Sequence, residues 1–247
     1  EHLDGEIENI DPWQNAGTVA LQVYFASFLD GEDYKRAIGP DGLAKTYHEL
    51  FGNPWTGNTT VLPGSLVQPE FILPFKQGQT WSLTGGPHTA WGNLRPWAAI
   101  DFAPPMLTQG CAETDEFALA VADGVIARVD EGIVVLDLDG DGDERTGWVV
   151  FYLHIAEKNR IPVGTAVKQG EPIGHPSCEG GTSTGTHVHI ARKYNGEWIP
   201  AVSVIPFNLE GWTPMEGSTA YEGKLVRGSE EVIASTLSGT TSMITRK

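Results

Sequence analysis

The sequence predicts a mainly β protein. Three observations point there. The 247 residues include 30 Gly and 16 Pro. Long apolar patterns of period 3.6 are few. From about Leu62 onward, short apolar or alternating runs follow one another between turn residues. Strands at such close spacing predict an all-β core. Hydrophobic content of 40% with eight Trp marks a folded chain with ample core. The net charge of −16 argues against nucleic acid or an anionic membrane as partner. The longest apolar run, residues 18–29, is too short and interrupted to span a bilayer. No basic start followed by an apolar stretch is present, so any signal segment is expected to have been removed.

In chain order, the acidic start to about Pro12 reads as a lead-in, and residues 16–29 suit a helix or a buried strand. Residues 34–51 read as a helix interrupted at Gly39-Pro40-Asp41-Gly42. Leu43, Tyr47, Leu50 and Phe51 share one face, and Gly52-Asn53-Pro54 ends it. His48 in that stretch reads as a solvated or packing residue. Residues 1–65 are thus a partly helical accessory segment. Strands are expected at 71–75, 80–83, 97–102, 117–122, 124–129, 133–138 and 148–154, the last being the most strand-like run. The stretch from Gly164 to Gly174 repeats a glycine-spaced short-strand texture. Further strand-like pieces at 225–226 and 232–236 lie in a Ser/Thr-rich tail after Trp212.

The chemistry concentrates in residues 178–198. A glycine-rich loop runs into Thr186-His187-Val188-His189-Ile190, where histidines alternate with apolar residues at the period of a strand. Residues two apart on a strand share a face, about 6.5–7 Å apart. Two imidazoles at that spacing suit one metal, one as ligand and one beside it. Alone, His-x-His is more often a polar strand face, because a metal needs three or four ligands. Asn195-Gly196 supplies the turn of a following hairpin. Other segments offer partners: Gly86-Pro87-His88, Ile100-Asp101-Phe102 and Tyr152-Leu153-His154 each place an imidazole or carboxylate at a strand end or loop.

On these residues the chain resembles the lysostaphin-type (LytM-fold) zinc endopeptidases, and within them the beta-lytic metalloprotease and staphylolysin branch. The common His-x-Gly-x-Asp motif is absent, since Trp97 stands four residues before Asp101. The branch places its histidine thirteen residues upstream, as His88 stands to Asp101. The stretches 73–78, 178–185 and 194–196 are similar to that branch as well. The resemblance covers about residues 73–198. It implies an antiparallel β-sheet core with a long open groove, of the duplicated-hybrid-motif type. It also implies a zinc endopeptidase domain over 66–212, with residues 213–247 as a β-rich tail packed on the core. His88, Asp101 and His189 match the zinc ligands, leaving a fourth position for water, as catalytic sites do. His154 and His187 match the catalytic histidines, His187 as base and His154 as the group that steadies the oxyanion. The two roles are exchangeable on sequence grounds. His175 has no match and reads as a loop residue or a substrate contact.

The implied function is a secreted, extracellular metalloendopeptidase acting on peptidoglycan cross-links or glycine-rich peptides. It is expected to be a monomer, without nucleic acid or a membrane span. Two other readings stay open. One is an inactive metal-retaining scaffold that binds cell wall or a partner; the other is a lipoyl-type carrier modified at Lys168. The two cysteines, Cys111 and Cys178, flank site segments and are expected to form one disulfide. Asp137, Asp139, Asp141 and Asp143 imitate the start of a calcium loop, but position twelve is Trp148 instead of Glu. The turn is either a calcium site or a solvated acidic hairpin tip.

Overall fold

The computed structural model describes residue 11 and residues 64–92, 95–106, 108 and 110–247. The expected helix at 34–51, the run at 16–29 and His48 lie outside the described residues. The strands are β1 (Thr80–Thr89), β2 (Trp97–Ala103), β3 (Ala118–Leu119), β4 (Gly124–Asp130), β5 (Ile133–Asp137), β6 (Trp148–Leu153) and β7 (Ala166–Val167). They continue as β8 (Pro172–Gly174), β9 (Val188–Tyr194), β10 (Glu197–Trp198), β11 (Thr213–Glu216), β12 (Gly223–Arg227), β13 (Glu230–Ile233) and β14 (Met243–Thr245). A 3-10 turn at Thr240–Ser242 precedes the last strand.

Nine strands form one sheet in the order β14-β1-β2-β9-β6-β5-β4-β7, with β10 added to β9. Its pairings are antiparallel. The run at β6 is apolar throughout because it is buried on both faces. Val150 and Tyr152 point into the main core with Leu83, Ile100, Val188 and Ile190. Val149 and Phe151 point the other way, against Ala99, Ala191 and Trp198. Each large side chain so buried contributes about 1.5–3 kcal/mol, which is what holds four neighbouring strands in one register.

The chain after Trp212 closes the edge of this body. β11, β12 and β13 make a three-stranded sheet that sends Leu225 and Val232 into the main core. β14 then pairs with β1, Thr80 opposite Thr245, and buries Ile244. No helix among the described residues is long and apolar enough to cross a membrane.

The same register assembles the site. β2 lies between β1 and β9, so Asp101 stands directly opposite His189. β1 brings His88 opposite Ala99, two residues from Asp101. β6 pairs the other edge of β9 and sets Leu153 opposite His189. His154 therefore emerges one residue beyond the strand, at the level of the other three.

Candidate metal centre

His88 Nε2, Asp101 Oδ1 and His189 Nδ1 converge on one point. They lie 2.9 Å apart for the two nitrogens and 3.2 Å for each nitrogen to the oxygen. Four ligands at tetrahedral zinc, about 2.0–2.1 Å from the ion, are separated by edges of about 3.3–3.4 Å. The triangle is close to one face of that tetrahedron.

The hydrogen bonds decide what these atoms present. A backbone carbonyl can only accept, so the ring nitrogen facing it carries the proton. His88 Nδ1–H donates to the Gly86 carbonyl at 2.8 Å, and His189 Nε2–H donates to the Ala90 carbonyl at 3.2 Å. The two inward nitrogens of the neutral rings are therefore lone pairs facing each other. Asp101 Oδ1 is buried and receives no hydrogen bond among the described residues. Three buried acceptors aimed at one point, without a donor between them, are costly unless a cation joins them. The donor set of two imidazoles and a carboxylate fits zinc, and the carbonyls behind the rings supply the orientation that metal-bound histidines need.

Glycine makes the approach possible. A Cβ on Gly85 would lie 2.4 Å from Asp101 Oδ2, so β1 passes Asp101 only because that residue has no side chain. Burial opposes ionisation of Asp101, but attraction from the imidazoles of His88 and His187 holds its carboxyl well below the usual range.

Two further imidazoles flank the three. His187 Nε2 lies 3.8 Å from Asp101 Oδ2, and its Nδ1–H donates to the Gly185 carbonyl at 2.8 Å. The His154 ring centroid is 4.5 Å from that of His187, and its Nδ1–H donates to the Glu179 carbonyl at 2.9 Å. Burial pushes the His154 imidazole down to about 4, assisted by His187 and His189 and partly opposed by the Glu179 carbonyl and Asp101. His154 also holds a left-handed backbone, φ 64°. Such a conformation costs a non-glycine residue about 1–3 kcal/mol and clusters at functional sites.

Tyr221 completes the surroundings, and sequence reasoning missed it. Its ring stacks on His88 with centroids 4.1 Å apart. Its carbonyl accepts from Gly86 N at 2.7 Å, and its own N–H donates to the Pro87 carbonyl. Burial, with Asp101 nearby, raises its phenol. It belongs to the link between β11 and β12, beyond the stretch where the motifs lie, and nothing in Ser-Thr-Ala-Tyr-Glu-Gly marks it.

The structure joins Cys111 and Cys178 in a disulfide, S–S 2.13 Å. The bridge ties the loop after β2 to the loop before β9, where Thr186 Oγ1 also donates to the Ala112 carbonyl. His175 stays apart from the converging residues. It is buried against Phe117, donates from Nδ1 to the Glu116 carbonyl at 2.8 Å and accepts from Asn159 at Nε2.

Asp137, Asp139 and Asp141 come within 4.8 Å of one another at the tip between β5 and β6. Asp143 turns instead to Arg145, with contacts of 2.7 and 2.8 Å. Asp137 accepts from the N–H groups of Asp139 and Gly142, Asp139 from that of Asp141, and Asp141 from that of Asp143 and from Thr146 Oγ1. Glu144 points inward to Arg128 and Lys193.

No family model matches the chain. The chain is 26% identical over 173 residues to protease LasA of Pseudomonas aeruginosa, strain PAO1, and equally to that of strain UCBPP-PA14. The match covers 63% of this chain and 39% of LasA, so the chain spans about two-fifths of the length of these relatives. Among solved structures it superimposes on the M23 metalloprotease pseudoalterin from the deep sea. The TM-score is 0.56 at 23% identity, over 68% of this chain and 96% of pseudoalterin. In fold the chain is similar to this M23 metalloprotease, and in sequence to protease LasA.

Proposed function

We propose that this chain is a secreted zinc metalloendopeptidase of the beta-lytic branch, acting on peptide bonds in peptidoglycan cross-links or glycine-rich peptides. The observation that carries the reading is the convergence of three buried lone pairs beside two further imidazoles. The names of its relatives, a protease and a metalloprotease, support it. His88, Asp101 and His189 would hold the zinc, which would supply Lewis-acid activation of water and carbonyl. The chain's own residues handle the proton. His187 Nε2 takes it from the attacking water, because Asp101 Oδ2 at 3.8 Å steadies the imidazolium that forms. The same nitrogen then returns it to the leaving amine.

His154 suits a different role from the oxyanion donor expected above. Its Nδ1–H is committed to Glu179, so the neutral ring has no proton at Nε2 to donate. Burial keeps it neutral. It acts as an acceptor that orients the attacking water. At the acidic turn the internal hydrogen bonds favour a self-satisfied hairpin tip over bound calcium. Adding calcium to calcium-depleted, zinc-loaded protein should leave Tm unchanged.

The deciding experiment combines zinc analysis with digestion of purified peptidoglycans of several cross-bridge types, products read by mass spectrometry. Zinc near one per chain with cleaved cross-bridges is the expected result. Zinc without cleavage of any peptidoglycan or glycine-rich peptide would leave a metal-retaining scaffold.

A further inference from the structure

We propose that Ser177 is a positioning residue for His154, closing a ring of hydrogen bonds that fixes which nitrogen of that imidazole faces the site. The proposal rests on the reading of His154 as a water-orienting acceptor. Ser177 Oγ–H donates to the His154 carbonyl at 3.0 Å, and the Ser177 backbone N–H donates to the same oxygen at 2.7 Å. Glu179 N–H donates back to Ser177 Oγ at 3.0 Å. Glu179 O then accepts His154 Nδ1–H at 2.9 Å. The circuit runs from the His154 backbone through one hydroxyl and the backbone of Glu179 to the His154 ring.

Each member needs the others. The left-handed backbone of His154 turns its carbonyl out of the β6 ladder, and Ser177 gives that carbonyl two donors. The hydroxyl also holds the backbone N–H of Glu179, and the carbonyl on the other side of that residue selects the tautomer of His154. The Glu179 carbonyl is pressed against Gly132, where an added Cβ would lie 2.2 Å from its oxygen. The Cys111–Cys178 disulfide sits between the two hydrogen-bonding residues. Ser177 also reaches the second imidazole's strand, since its carbonyl accepts from His187 N–H at 3.2 Å. A ring freed from the circuit can take the other tautomer and turn a donor towards the water it should accept from. A wrong tautomer in an otherwise intact site is a loss of rate and not of binding.

The test compares Ser177→Thr with Ser177→Val, which have the same shape and differ in the hydroxyl. Both should hold zinc near one per chain and share one KM for a fluorogenic glycine-rich peptide. The kcat of the Val variant should fall about tenfold below that of the Thr variant, the rate equivalent of one lost hydrogen bond. Ser177→Ala, which adds no bulk, should behave as Val does. A second reading needs no turnover. The Nδ1–H proton of His154, identified by its loss in His154→Ala, should exchange with solvent faster in Val and Ala than in Thr. Equal exchange in all three would overturn the circuit. Faster exchange with unchanged kcat would keep the circuit and remove His154 from the rate, which is a failure of the functional reading instead.

Discussion

Asp101 shows how one side chain can define a site. One of its oxygens closes the triangle with His88 and His189 and the other faces His187, so in the proposed mechanism it would serve metal and proton transfer together. His189→Ala and Asp101→Asn should each lose zinc and activity together, read by metal analysis and peptide cleavage. His187→Ala should keep zinc near one per chain while losing about 10²–10⁴ in rate, the range of general acid–base groups. His154→Ala should keep zinc with a smaller loss, because that ring orients the water without moving a proton. His154 also makes a stability prediction. Its folded pKa of about 4 lies below the ordinary value of 6.5, mainly through burial. Protonation therefore favours the unfolded chain. The stabilisation is whole above pH 6.5 and is lost as pH falls from there towards 4, with a magnitude on the order of 3 kcal/mol. Urea unfolding of metal-free protein at pH 7 and pH 4.5 should show a smaller drop for His154→Gln than for the parent chain. An equal drop would mean that the ring is solvated in the folded state.

At the scale of strands and loops, alternation made much of the fold legible. His189 on β9 with His187 just before its first residue, the apolar β6 run and the Asn195-Gly196 turn all follow from local pattern. The spacing of His88 to Asp101 is different in kind. It became readable only through a family resemblance, because the ligands meet through the pairing of β1 with β2 and not through any local periodicity. Gly85 was equally silent, since a glycine needed for one close approach looks like a glycine in a turn. Gly85→Ala should push a methyl against Asp101 Oδ2, which now lies 2.4 Å from where that carbon would stand. The expected outcome is zinc affinity reduced by about 10–100-fold, the cost of disturbing a ligand's orientation, with the protein still folded by circular dichroism. Zinc affinity within twofold of the parent would show that β1 can shift aside.

For the whole molecule, the sequence made the mainly β class legible and pointed to five candidate residues that the fold brings together, while the partnership of the last 35 residues with them was not legible. Residues 213–247 look like a polar tail because only one face of β12 and β13 is buried. Yet they supply Tyr221 to the candidate metal centre, stacked on His88, and β14 to the edge of β1. Net charge is a property of the same scale, and at −16 it acts on every substrate that approaches. Anionic wall polymers are repelled and cationic peptides attracted, over a reach set by a Debye length of about 10 Å at 0.1 M salt. Two fluorogenic glycine-rich peptides, one carrying lysines outside the cleaved segment and one carrying glutamates, separate this field from the groove's own preference. At low ionic strength the lysine peptide should have the higher kcat/KM. Raising salt should lower its value and raise that of the glutamate peptide, so that the two converge. The change should fall in kcat/KM and leave kcat nearly untouched, because steering acts on encounter and not on the proton transfers at His187. A preference that persists unchanged in high salt would place the selectivity in contacts within the groove, and the charge would then serve solubility alone.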